Sequence, residues 1–81
     1  MEHPLETKIK TVALNIRKSR EAQNYTQEYL AAKLNISQNA YSKIELGYTK
    51  ITLERLFQIA EILGIDALEL ISVAHRNRIA V

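Results

Sequence analysis

The residues best suited to chemistry lie in one segment, residues 26–47. The side-chain amides of Gln27, Gln38 and Asn39 both donate and accept hydrogen bonds. Lys43 lies on the same segment and adds a positive charge. Groups of this kind can hold a partner by hydrogen bonding and charge. The chemistry that this segment offers is therefore recognition.

The sequence lacks the residue sets that catalysis or metal binding needs. It has no cysteine and no phosphate-cradling glycine loop, and Ser42 and Glu45 have no base of suitable pKa beside them. His3 and His75 are far apart in sequence and have no thiol or carboxylate nearby. We therefore expect neither an enzyme nor a metal or cofactor site.

Length and composition narrow the architecture. The chain has 81 residues, which suffices for one small core. Its one proline and two glycines are too few for the many turns that an all-β fold requires. The net charge of +2 is concentrated in residues 1–50, which hold eight basic and five acidic residues. No apolar run is long enough to cross a membrane, and the polar start is no signal peptide. We expect a cytoplasmic protein with no membrane partner.

Apolar spacing and capping residues predict five short helices that position these groups. Residues 1–7 are predicted to form an arm because Pro4 blocks a helix before it, and the first helix then ends near Gln23. The predicted domain covers residues 8–72, and residues 73–81 form a tail. The helix-starting caps are expected at Thr26, Ser37, Thr52 and Asp66, the last forming a capping box with Glu69.

The second and third helices are separated by only three residues. Ala31 is small enough to let the two helices cross closely, Asn35 suits a sharp turn, and Ile36 is apolar and fills the corner. These features describe a helix-turn-helix, in which the second helix of the pair presents its polar face outward. Gly47 is expected to end that helix.

The run NIRKSREAQNYTQEYLAAKLNISQNAYSKIELG, followed by TLERLFQIAEILGI, resembles the Cro/CI-type (XRE-like) helix-turn-helix family of small repressors. The resemblance extends from about Ile9 to Ile71. It departs from the family pattern at Ser19, Asn24, Asn35 and Ile51. The positions that carry it are Ile16, Arg17, Arg20, Thr26, Gln27, Leu30, Ala31, Ile36, Ser37, Gln38, Ser42, Ile44, Glu45, Gly47, Leu53, Leu56, Ile59, Ala60, Leu63, Gly64 and Leu70.

The resemblance implies an all-α, five-helix lambda-repressor-like DNA-binding domain with the helix-turn-helix at helices 2 and 3. It places base-reading side chains at Gln38, Asn39 and Lys43. Glutamine and asparagine pair with adenine, and lysine donates to guanine, so the residue types suit that role. Contacts to DNA phosphates are expected from the flanking polar residues, which are Gln27, Ser37, Ser42, Tyr48 and Lys50.

Three further groups of residues have expected structural roles. The resemblance implies an ion pair between Arg20 and Glu45 that orients helix 3. Tyr41 is assigned to the core, with its hydroxyl reaching solvent or the DNA backbone. An apolar dimer interface is a hypothesis for four residues of the last helices and the tail, namely Phe57, Leu68, Ile71 and Val73.

The leading interpretation is sequence-specific binding of double-stranded DNA by a small transcriptional regulator, expected to be a repressor. A homodimer would read the two half-sites of a palindromic operator. The alternative is a protein-interaction module or antitoxin-type partner, whose main contact is another protein. The small net charge keeps that alternative open.

Overall fold

The computed structural model describes residues 4–72, and within them it contains five helices and no strand. The helices are α1 (Pro4–Ala22), α2 (Gln27–Leu34), α3 (Gln38–Glu45), α4 (Leu53–Leu63) and α5 (Ala67–Ile71). The predicted all-α class with five helices is therefore confirmed. The predicted tail, with Val73 and His75, and the first three residues, with His3, lie outside the described residues.

Side-chain caps start four of the helices, as the sequence predicted. The hydroxyls of Thr26, Ser37 and Thr52 accept hydrogen bonds from the backbone N–H three residues later, at 3.0 to 3.1 Å. Asp66 and Glu69 form the predicted capping box at the start of α5. Each cap satisfies an N–H group that the first turn of a helix leaves without a partner.

Two asparagines take the left-handed backbone conformation that ends a helix. Asn24 has φ 60° after α1, and Asn35 has φ 64° between α2 and α3. The N–H of Asn35 donates to the Ala32 carbonyl at 3.1 Å, and the N–H of Ile36 donates to the Ala31 carbonyl at 3.0 Å. These bonds close α2 and turn the chain sharply into α3.

The N-terminal arm was predicted too long. Helix α1 begins at Pro4, so residues 4–7 are helical rather than part of an arm. Proline is favoured at the first position of a helix, where the N–H that it lacks has no intrahelical partner. A second correction concerns Leu53, whose spacing with Leu56, Ile59, Ala60 and Leu63 predicts a place in the buried stripe of α4. It is the first residue of that helix and is 70% exposed.

The core lies where α2 and α3 pack on α1 and α4. Its completely buried side chains are those of Ile16, Leu30, Tyr41, Ile59 and Leu70. Burying each large apolar side chain contributes roughly 1.5–3 kcal/mol, so this cluster sets how the short helices meet.

Two polar contacts that were not predicted connect α1 and the turn after it to the later helices. The buried Asn15 amide donates to the carbonyl of Leu70 in α5 at 2.8 Å. The Gln23 amide donates to the carbonyl of Leu63, at the end of α4, at 2.6 Å. Within residues 4–72, no helix combines the length and apolarity that a membrane span requires.

The turn at Asn35 gives a prediction about stability. Replacing Asn35 with Ala should lower the free energy of unfolding by about 1 kcal/mol, because an ordinary Cβ is strained in the left-handed conformation. Replacing it with Gly should leave stability equal or slightly higher. Urea unfolding measures both, and Asn24, with nearly the same φ, is the matched second site. Equal stability of the Ala and Gly variants at both sites would contradict this explanation.

Candidate nucleic-acid interface

Helix α3 has one exposed edge and one buried face. Gln38, Asn39 and Lys43 are exposed, and Ser42 beside them is half-buried. On the other face, Tyr41 and the residues at the end of the helix pack into the core. The three side chains expected to read bases therefore lie together on an edge that no other described part of the chain covers.

Other residues with expected roles flank this edge. Ser37 caps α3 and is exposed, and after the helix both Tyr48 and Lys50 are exposed. A groove of about 380 Å³ separates α3 from the segment that leads into α4. Ser37, Asn39 and Lys43 lie on the α3 side of the groove, and Lys50 lies on the other side.

A buried ion pair fixes the end of α3. Arg20 Nε donates to Glu45 Oε2 at 2.6 Å, and Arg20 Nη2 donates to Glu45 Oε1 at 3.1 Å. A third donor, Arg20 Nη1, binds the Tyr25 carbonyl at 2.8 Å. The two charged side chains are 11% and 2% exposed. This geometry connects α1, the turn before α2 and the last residue of α3.

Gln27 belongs to the same network. Its Nε2 donates to Glu45 Oε1 at 3.0 Å, and the residue is half-buried at the start of α2. One amide hydrogen is thereby used inside the protein, while the second hydrogen and the carbonyl oxygen stay available to an outside partner. The sequence did not reveal this bond, because the two residues are 18 positions apart.

The network lowers the pKa of Glu45. Burial alone raises the pKa of this carboxyl, but hydrogen bonds from Arg20 and Gln27 and the charge of Arg20 outweigh burial. The pKa of Arg20 is raised, first of all by its hydrogen bond to Glu45. Both groups are therefore charged at neutral pH.

The position of the Tyr41 hydroxyl differs from the prediction. The residue is in the core as expected, but its Oη is buried and has no hydrogen-bond partner in the described structure. The tyrosine ring is larger than an aliphatic side chain, and it places the hydroxyl inward, toward the Arg20–Glu45 pair, rather than at the surface. Burial, together with the nearby Glu45 carboxylate, raises the pKa of Tyr41.

The residues expected at a dimer interface are exposed where they are described. Phe57 is 59% exposed on α4, and Leu68 and Ile71 are 68% and 46% exposed on α5. Helix α5 packs against both α1 and α4. Leu14, on α1, is a further exposed apolar residue, at 44%.

Arg55 was not predicted from the sequence to have a functional role. This residue is half-buried in α4, and its side chain lines the groove beside α3. The signal available in the sequence was that Arg55 lies five residues after Lys50, in the stretch of chain that follows α3.

The ion pair predicts a pH-dependent loss of stability. Glu45→Gln should lower the free energy of unfolding by about 3–5 kcal/mol at pH 7, because Arg20 then loses its buried counter-charge and keeps only the exposed Glu21, at 3.8 Å. A carboxyl whose pKa is depressed stabilises the fold above its unfolded pKa, roughly 4.3, and this contribution disappears as the pH falls through its folded pKa. The difference in the free energy of unfolding between the wild type and Glu45→Gln should therefore become smaller at acidic pH.

Urea unfolding at neutral and acidic pH measures this difference. The double variant Arg20→Met with Glu45→Leu is the control, because replacing both charges by apolar groups should cost less than removing one. A decrease of less than about 1 kcal/mol in the free energy of unfolding of Glu45→Gln would show that the ion pair behaves like a solvent-exposed one.

Comparisons with known proteins agree with this geometry. The chain is similar to the hypothetical transcription factor NHTF from Neisseria, with 27% identity and a TM-score of 0.79 over 98% of this chain and 93% of that one. Its fold is also similar to that of the restriction-modification controller protein C.AhdI from Aeromonas hydrophila, with 24% identity and a TM-score of 0.76 over 84% of this chain and 99% of that one. No curated protein matches the chain significantly.

A family model described as helix-turn-helix matches residues 16–70, which is most of the chain and includes α2 and α3 entirely. The matched region also contains the Arg20–Glu45 pair and the exposed edge of α3. The chain therefore belongs to the XRE-like helix-turn-helix family, whose members are DNA-binding regulators and not enzymes.

Proposed function

We propose that this protein binds double-stranded DNA sequence-specifically and regulates transcription, with α3 lying in the major groove. The observation that carries the proposal is the exposed polar edge of α3, formed by Gln38, Asn39 and Lys43. The major groove is about 12 Å wide and admits an α-helix whose outer edge is free. The buried ion pair at Glu45 holds that helix at a fixed angle to the rest of the domain.

The side chains on this edge suit base recognition. Gln38 and Asn39 each offer the donor and acceptor pair that matches the major-groove edge of adenine, and Lys43 offers donors to guanine. Each well-formed bidentate contact discriminates by about 1–3 kcal/mol. These residues are the ones that select the operator sequence.

Phosphate contacts come from residues around this edge. Ser37 and Ser42 supply hydroxyls, and Gln27 supplies the amide hydrogen that Glu45 does not use. Tyr48 and Lys50 are exposed on the segment that follows α3. Contacts of this kind fix the register of the protein on the duplex and carry no sequence information.

A second copy of the chain covers the apolar side chains of α4 and α5. Phe57, Leu68 and Ile71 are large, apolar and 46–68% exposed, and a small monomer rarely leaves such side chains in water. Val73 is assigned to the same interface. Two copies related by a twofold axis place two α3 helices on successive turns of a palindromic operator.

The regulatory outcome that we propose is repression. A helical domain bound at an operator acts by occupying that stretch of DNA, which blocks access to it. One fold neighbour is a restriction-modification controller, and a controller or antitoxin setting is compatible with such a mechanism.

Replacing both amides on the edge tests base recognition. Gln38→Ala with Asn39→Ala should abolish the preference for the operator over random duplex, because the base contacts are lost while phosphate contacts remain. The thermal midpoint should stay nearly unchanged, because both side chains are exposed. Selection of bound oligonucleotides identifies the operator, and fluorescence titration measures both affinities.

The charge-neutral pair Lys18→Ala with Glu61→Ala, at exposed positions outside this edge, is the control and should keep the preference. Retained selectivity in the Gln38 and Asn39 variant would refute the assignment of α3.

The salt dependence of wild-type binding separates DNA binding from the protein-interaction alternative. The logarithm of the affinity should fall with the logarithm of salt, with a slope of about −0.9 per phosphate contacted.

The dimer is tested by changing its apolar face. Leu68→Asp with Ile71→Asp should give a monomer in sedimentation at tens of micromolar, because two charges would be buried in the interface. Affinity for a palindrome should drop steeply, while affinity for a single half-site should hardly change. A wild-type protein that is monomeric both with and without DNA would contradict the proposed dimer.

A further inference from the structure

The groove beside α3 has a composition that points to a specific ligand group. One wall is formed by α3 and its cap, and the other by residues 49–52 and Arg55 of α4. Three basic side chains line it, those of Lys43, Lys50 and Arg55, and no acidic side chain does. None of the three forms an ion pair within residues 4–72. The groove is therefore a concentrated positive site without an internal counter-charge.

Arg55 is held in place by the protein itself. Its Nη1 donates to the carbonyl of Leu34, the last residue of α2, at 3.4 Å, and to Gln58 Oε1 at 3.2 Å. Its Nε and Nη2 make no hydrogen bond within the described part of the chain. The guanidinium is thus oriented by one nitrogen, while its other donors remain free for an anion.

Hydroxyl groups add further donors around the groove. Ser37 Oγ and Thr52 Oγ1 accept hydrogen bonds from helix N–H groups, which leaves their own O–H bonds free to donate. Thr49 also lines the groove and is exposed. A fixed guanidinium, together with ammonium and hydroxyl donors around one concave space, matches the oxygens of a phosphate better than it matches a neutral group.

We propose that this groove binds a backbone phosphodiester of double-stranded DNA, and that Arg55 is a phosphate-binding residue. The inference rests on the proposed function, since α3 must lie against DNA for the adjacent groove to meet the backbone. Arg55 also contacts the end of α2, so it connects the bound phosphate to the turn between α2 and α3. Lys50 supplies the second charge at the same phosphate.

The test compares Arg55→Gln with the wild type over a range of salt concentrations. Affinity for operator and for random duplex should fall by a similar factor, about tenfold, as expected for loss of a charge-assisted hydrogen bond. The salt slope should become shallower by about 1, and the ratio between the two affinities should stay constant. Arg17→Gln is the matched control, because Arg17 is an exposed arginine of α1 that pairs with Glu21 outside the groove.

Two measurements distinguish contact from a structural effect. Arg55→Lys keeps the charge, so it should restore most of the salt slope, and circular dichroism verifies the fold of each variant. Ethylation of each backbone phosphate in turn should identify one phosphate per half-site whose modification weakens the wild type. Binding by Arg55→Gln should be insensitive to modification of that phosphate.

An unchanged salt slope in Arg55→Gln, with steep salt dependence in the wild type, would overturn this inference and leave the proposed function intact. Weak binding with no salt dependence in the wild type would instead overturn the proposed function. Inorganic phosphate that stabilises the wild type but not Arg55→Gln, with no difference between them on duplex, would show a free-phosphate site and overturn the DNA assignment.

Discussion

The position of α3 depends on the carboxylate of Glu45. This group accepts two hydrogen bonds from Arg20 and one from Gln27, so α1, α2 and α3 meet at a single pair of oxygens. Helices α2 and α3 have eight residues each, and helices this short are not stable alone in water. Their angle is therefore set by tertiary contacts, and a buried, directional contact permits fewer arrangements than apolar packing does.

The apolar core and this polar network have different tasks. Leu30 and Ile59 are fully buried and supply the free energy that keeps the helices together. The ion pair contributes orientation, because desolvating two charges offsets much of their attraction. The Tyr41 hydroxyl is buried beside the pair, where burial and the Glu45 carboxylate raise the pKa of Tyr41.

Local features of the fold were predictable from the sequence, whereas contacts between distant residues were not. The caps at Ser37 and Thr52 and the left-handed turn at Asn35 follow from residue type and near neighbours, and all three are present. The start of α1 was misjudged because proline both stops a helix and begins one. The Gln27–Glu45 bond and the place of Arg55 in the groove depend on how helices cross, which apolar spacing does not specify.

Helix α1 holds two other helices through the side chains of Asn15 and Arg20. The amide of Asn15 binds α5 through the Leu70 carbonyl, and Arg20, five residues further along the same helix, binds the end of α3. An α-helix rises about 1.5 Å per residue, so these two contacts are separated by roughly 7.5 Å along the axis of α1. This stretch of α1 therefore fixes the distance between the α5 contact and the end of α3, independently of the conformation of the loops.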